Sequence, residues 1–389
     1  FVARQRHRDV KLIYTPLVWT LPILALQALL GAIVVWTELP AWLVAIHLMT
    51  ALVLLGLLIT VAVTAFVRHR NPAQPDRLSF QSPFARMALG AAIGVFVVLV
   101  SGAFVAVSDA TYACSGWPLC NGELIPSHPL GWIHMLHRLA AGLLTFHMIF
   151  FLRRAWRSQR SQRAILSAAT LAVVFYFAQV LVGALKVSSN FPIYLLGLHV
   201  ATAAAVWALA MVTAVLVGLA ARSPEAEAEE AAQPVDKQQR GKDLLQLTKP
   251  IIVALLLVTT YAGMVVGAHA LPSLSLAFWT MLGGALAAGG SGAVNQYIDR
   301  ELDTHMTRTA KRPIAAGRMT HAEGLAFGLA LLVISFYIFA GFVNLLAALL
   351  ALAGMIYYIV LYSLWLKQAT VQNIVIGGGA GAIPPLVGW

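Results

Sequence analysis

Long apolar stretches alternate with short polar ones along the whole chain. The apolar stretches are 17–36, 41–67, 87–107, 131–152, 164–185, 193–220, 250–270, 274–294, 322–342, 345–364 and 373–389. A helix rising 1.5 Å per residue needs roughly 20 apolar residues to cross a hydrocarbon core about 30 Å thick. No water is available there for backbone N–H and C=O groups, so a crossing segment must be helical. The pattern therefore predicts an all-α polytopic membrane protein with about eleven transmembrane helices. The last stretch abuts Trp389 and is expected to be incomplete.

One polar stretch is long enough to separate domains. Residues 223–242, SPEAEAEEAAQPVDKQQRGK, are acidic, Ala-rich and devoid of an apolar run. They read as a linker on the cytoplasmic side between a first block, 1–222, and a second, 243–389.

Composition agrees with the pattern: 60% of residues are hydrophobic and 11% charged, against about 25% charged in soluble chains. The net charge of +11 would raise nucleic acid as a partner of a soluble protein. Here the positives fall between spans and set topology, so no nucleic acid is expected and the lipid bilayer is the partner. Arg4, Arg6, Arg8 and Lys11 share one side with Arg68, Arg70, Arg77 and Arg86, and with Arg153, Arg154, Arg157, Arg160 and Arg163. The loops at 37–40, 108–130 and 186–192 are poor in positives and take the other side. This places the protein in the cytoplasmic membrane with its basic loops inside.

Cys114 and Cys120 stand in one outer loop, CSGWPLC. An oxidising compartment favours a disulfide there, and closing so short a loop contributes about 2–2.5 kcal/mol. A metal site is the weaker reading, because only His128 is near enough to add to two thiols.

The first block repeats itself. QALLGAIVVWTELPAWLVAIH at 27–47 and QVLVGALKVSSNFPIYLLGLH at 179–199 align Gln27 with Gln179, Gly31 with Gly183, Pro40 with Pro192 and His47 with His199. The second copy follows two more spans and the first does not. A chain opening at Phe1 is thus expected to lack two preceding helices, which would complete two four-helix bundles. His47, His137 and His199 lie inside their spans, where an ionisable side chain is a functional candidate by default. Histidines on facing helices can hold a haem iron through neutral imidazole nitrogens. Each could instead bond a backbone carbonyl, the role expected of His134 and His147. Arg138 could reach the membrane surface or a haem propionate.

These features together resemble haem A synthase: histidines on alternate helices, the His137–Arg138 pair, Cys114 with Cys120, and the Gln–Gly–Pro–His repeat. The resemblance implies a haem b held by His137 and His199. It also implies a second bundle binding haem O, with His47 one of its histidine pair, and oxidation of a haem O methyl to formyl to give haem A. The other histidine of that pair, and an acidic residue near it, are expected in the missing segment.

The second block carries NQYIDRELDTHMTRTAKR at 295–312, which begins where a span leaves the membrane. Asn295, Asp299 and Asp303 recur every four residues and share a helix face. Oxygen ligands so spaced suit Mg²⁺ bridged to phosphate, and Arg308, Lys311 and Arg312 suit diphosphate oxygens. The mundane alternative is a solvated loop with ordinary charge pairs. The motif, LTKP at 247–250 and TVQNIVIGGGAGAIPPLVGW at 370–389 resemble the UbiA-type prenyltransferases, and among them haem O synthase, or protohaem IX farnesyltransferase. The resemblance implies Mg²⁺-dependent transfer of farnesyl from farnesyl diphosphate to a vinyl group of protohaem IX, giving haem O. Asn295, Asp299 and Asp303 would hold Mg²⁺–diphosphate, Arg308 and Arg312 would contact its oxygens, and Lys249 is a further candidate. The family's second polar motif is expected beyond Trp389. Two other functions remain: a b-type cytochrome electron carrier, and a prenyltransferase acting on a quinone precursor.

Overall fold

Helix starts are written into the sequence. Ser82 accepts a hydrogen bond from Ala85 N at 3.1 Å and is followed by Pro83 at the first helical position. Thr320 and Glu323 form a capping box, and Asn344 caps Ala347 N at 2.7 Å. Each satisfies amide donors that a helix cannot satisfy itself.

A computed structural model describes residues 10–389; the basic positions Arg4, Arg6 and Arg8 lie outside the described residues. The described chain is helical almost throughout, with an isolated bridge between Cys120 and Glu123 and no strand. Ten helices are long and apolar enough to cross a membrane, so this is a multi-pass membrane protein. The eleventh apolar stretch is different. It forms short pieces, Asn373–Gly378, Gly379–Ala382 and Ile383–Gly388. Gly377, Gly378, Gly379 and Gly381 weaken it, and Pro384 and Pro385 remove backbone donors.

The chain divides into two compact units. Among the described residues the first comprises 10–159 and 175–231, the second 160–174 and 232–389. In the first, α1 (Lys11–Trp36) packs against α2 (Ala41–Arg70), and α3 (Pro83–Val107) against α4 (Pro129–Ser158). After α5 (Arg163–Ser188) comes α6 (Ile193–Ala220), which packs on both α2 and α3.

The polar stretch after α6 is helical, as α7 (Pro224–Ala232) and α8 (Lys237–Leu247). Its acidic residues have structural work within their units. Glu227 is only 1% exposed. It accepts from Ser82 Oγ at 2.7 Å, Phe84 N at 3.1 Å and Gln159 Nε2 at 3.1 Å, and so holds a negative charge at the N-terminus of α3. Asp243 is likewise buried and ion-paired with Arg318 at 2.9 Å.

In the second unit α9 (Pro250–Ala268) packs against α10 (Leu274–Ile298) and the Ile383–Gly388 segment. The short α11 (Arg300–Thr304) continues from α10. α12 (His321–Phe342) packs along α10, and α13 (Leu345–Ile356) runs into a π-helix, Tyr357–Leu366.

Removing the Glu227 carboxylate strands three buried donors. Glu227→Ala is expected to cost about 2–4 kcal/mol and to lower the thermal midpoint in detergent by several degrees. Glu227→Gln, which keeps one acceptor, should lose less. An unchanged midpoint in Glu227→Ala would show that this contact does not hold α3.

Candidate functional site

In the first unit His47, His137 and His199 each face a glycine on the helix before their own, as does His147, which lies against Gly90. A Cβ built at Gly31 would lie 3.2 Å from His47 Cε1, one at Gly183 3.1 Å from His199 Cε1, and one at Gly102 3.0 Å from His137 Cε1. A larger residue would press on the ring, so the repeated Gly–His spacing is a packing relation that lets each imidazole lie against its neighbour.

The two copies of the repeat differ in how they satisfy the ring. In the first, Gln27 Nε2 stands 3.2 Å from His47 Nε2, and Thr50 Oγ1 donates to Gln27 Oε1. In both copies the histidine Nδ1, of His47 and of His199, is buried with no hydrogen-bond partner among the described residues, and in the second Gln179 Oε1 is likewise unpartnered. His137 is prepared in a third way. Ser101 Oγ donates to Val98 O at 2.8 Å, which leaves the oxygen to accept from His137 Nδ1 at 2.9 Å. That bond puts the proton on Nδ1 and leaves Nε2 with its lone pair, the arrangement a metal-binding imidazole needs. The oriented Nε2 of His137 fits a haem iron; the orphaned Nδ1 of His199 lies against Gly183, which leaves Nε2 as the nitrogen that would meet one.

His147 Nε2 lies 2.9 Å from Met87 O, the backbone-bonding role expected of it. Arg138 is committed elsewhere than to the surface. Its Nη1 donates to the carbonyls of Gly116, Pro118 and Leu119 at 2.8, 2.9 and 3.1 Å. It thereby ties α4 to the loop closed by the Cys114–Cys120 disulfide.

In the second unit Asn295, Asp299 and Asp303 are 3%, 2% and 3% exposed. Burial that deep excludes the solvated-loop reading. Each residue has its own partner. Lys249 Nζ donates to Asn295 Oδ1 at 2.6 Å, and Asn295 Nδ2 donates to Ser363 Oγ at 3.1 Å. Lys367 Nζ pairs with Asp299 Oδ2. Arg312 Nη1 donates to both Asp303 oxygens, at 2.8 and 2.7 Å. Arg308 is exposed and bonds to none of the three.

Asp299 Oδ1 remains buried and without a partner. Among the described residues no three His, Cys, Asp or Glu side chains gather as a ready-made metal site. That suits Mg²⁺, which takes one or two carboxylates and completes its shell with water and substrate phosphate. Lys249 sits in the left-handed region at φ 55° immediately before Pro250. A conformation so rare for a side-chain-bearing residue is held by its surroundings. Burial, helped by Arg312 and opposed by Asp299, lowers its ammonium to about 8.

Beside Lys249 opens a cavity of about 300 Å³. Leu256, Leu257, Phe339, Met355 and Tyr358 are among its walls. Lys249 lines this apolar chamber and bonds to Asn295 of the acidic face, an arrangement that can bind a molecule with a polyanionic head and a long hydrocarbon tail.

Ser363 and Lys367 belong to this site, and sequence reasoning missed them. They lie 68 residues from their partners, at the end of an apolar run where a lone lysine reads as a topology signal. The π-helix brings them in: its wider turn shifts the side chains that follow it.

Comparison with known proteins agrees with both halves. Residues 1–211 match a family described as cytochrome oxidase assembly protein, and residues 256–389 match the UbiA prenyltransferase family. The chain is 36% identical to a protoheme IX farnesyltransferase of Roseiflexus sp. (strain RS-1), over 99% of this chain and 74% of that protein. It is 36% identical to the protoheme IX farnesyltransferase of Roseiflexus castenholzii, over 84% of this chain and 64% of the relative's length. A protoheme IX farnesyltransferase of Trichodesmium erythraeum is 53% identical over 38% of this chain and 45% of its own length. The chain belongs to the protoheme IX farnesyltransferases of the UbiA family and carries, ahead of that domain, one of the cytochrome oxidase assembly type.

Proposed function

We propose that the second unit transfers a farnesyl group from farnesyl diphosphate to a vinyl group of protohaem IX, giving haem O, and that the first unit takes haem O on to haem A. The observation that carries this is the buried Asn295–Asp299–Asp303 face, ringed by Lys249, Lys367 and Arg312 and set beside the apolar cavity.

In this reading Asn295, Asp299 and Asp303 hold Mg²⁺, with the orphaned Asp299 oxygen the first available ligand. Mg²⁺, when bound, neutralises charge that develops on diphosphate as it leaves. Lys249, Lys367 and Arg312 turn toward the diphosphate oxygens, and exposed Arg308 joins them. The cavity sheaths the farnesyl chain and keeps water from the allylic cation formed as the C–O bond breaks. The vinyl carbon then forms the new C–C bond, and water supplies the hydroxyl and releases a proton.

In the first unit His137 and His199 hold haem b, which would supply one-electron chemistry, and His47 belongs to the haem O side. The motif is placed on the cytoplasmic face of the cell membrane and the cysteine loop outside, following the charge asymmetry of the loops.

Expression of the gene in a strain that lacks haem O synthase, followed by haem extraction, tests the whole reading. Haem O or haem A is expected, and haem B alone would overturn it. Asp299→Asn, which keeps the shape and removes the charge, is expected to slow farnesyl transfer at least about 100-fold. Wild-type turnover in that variant would remove Asp299 from the site. His199→Ala should abolish the low-spin spectrum of a six-coordinate haem while leaving farnesyl transfer intact; retention of that spectrum would show that another side chain is the ligand.

A further inference from the structure

Lys186 stands near the end of α5, in a segment where the sequence pattern shows few positive charges. It is half-buried. Gly183, the residue against which His199 packs, lies three positions earlier and so on the same helix face. Lys186 is within electrostatic reach of both His137 and His199, and of Arg138. Among the described residues it has no ion-pair partner, and no carboxylate is among the groups acting on it. Arg138, the other cation here, already gives Nη1 to three carbonyls of the disulfide loop.

A lysine kept from water in a membrane helix calls for an anion. The simplest alternative is that its flexible stem carries the ammonium out to the lipid headgroups. Its place argues otherwise: it shares a helix face with Gly183, against which His199 packs, and it acts on both histidines proposed to hold the haem, and a haem presents two carboxylates at the edge of its ring.

We propose that Lys186 is the counter-ion of a haem propionate. On this assignment it pairs with a carboxylate of the haem held by His137 and His199, and sets that edge of the ring toward the disulfide-loop end of the bundle. The inference rests on the haem-binding reading above and adds a positioning residue to it. A lysine–carboxylate pair in a half-buried setting discriminates between a charged and an esterified propionate by about ten- to one-hundred-fold in affinity.

The test modifies both partners. The full chain in detergent is titrated with protohaem IX and with its dimethyl ester, in wild type, Lys186→Gln and Lys186→Arg, and binding is read from the low-spin absorption band. Wild type should bind the diester about ten- to one-hundred-fold more weakly than protohaem. Lys186→Gln should shrink that ratio at least about tenfold, and Lys186→Arg should keep it. Because each variant is compared with itself, a general loss of stability cancels. Equal ratios in wild type and Lys186→Gln would overturn the assignment, since a lysine directed to lipid headgroups gives that result. Absence of any low-spin band in wild type would instead overturn the haem-binding reading beneath it.

Discussion

The rest of the structure depends on one constraint: inside an apolar helix bundle, polar side chains have only one another. Water cannot satisfy a buried oxygen or nitrogen there, and each one left alone costs a substantial fraction of a domain's stability. The chain answers with pairs brought from distant sequence. Lys249 reaches Asn295, Lys367 reaches Asp299, Arg312 grips Asp303, and Ser101 orients His137. The exceptions then become informative. One of them among the described residues, Asp299 Oδ1, is buried and unanswered where the proposed chemistry wants a ligand for a metal.

The same constraint explains the repeat in the first unit. Both copies keep a glycine against the histidine ring, so what they share is the space for an imidazole. What they do with its nitrogens has diverged. The first copy spends its glutamine on the ring, with Thr50 behind it. In the second, Gln179 Oε1 has no partner among the described residues, while the Nδ1 of the histidine is unpartnered in both copies.

Much of this was legible in the sequence because it is local or periodic. Apolar run lengths gave the ten long helices, the four-residue spacing gave the acidic face, and the short CSGWPLC loop gave the disulfide. Three things were not legible. Ser363 lies within a π-helix and Lys367 directly after it, and nothing in YYIVLYSLWL announces that wider turn. Glu227 looks like one more charge in an acidic stretch, and its burial depends on donors 143 and 145 residues away. Arg138 next to His137 suggests a ligand contact, yet the geometry of the disulfide loop claims it first. The glycine and proline content of 373–389 did carry a warning that this apolar stretch would not form a long straight helix.

The pairing of Lys249, Lys367 and Arg312 with Asn295, Asp299 and Asp303 has a consequence for how the site would fill. A divalent cation arriving alone would have to take Asp299 and Asp303 from Lys367 and Arg312, leaving two positive groups stranded beside it. A diphosphate arriving alone would take the cations and leave the carboxylates facing one another. Only joint arrival leaves every charge answered. On the proposed reading the resting ion pairs would act as a thermodynamic interlock, with metal and diphosphate each raising the other's affinity by the same factor. Departure obeys the same rule, so the spent diphosphate would leave most readily as a metal complex, with the lysines and arginine closing back onto the acids behind it.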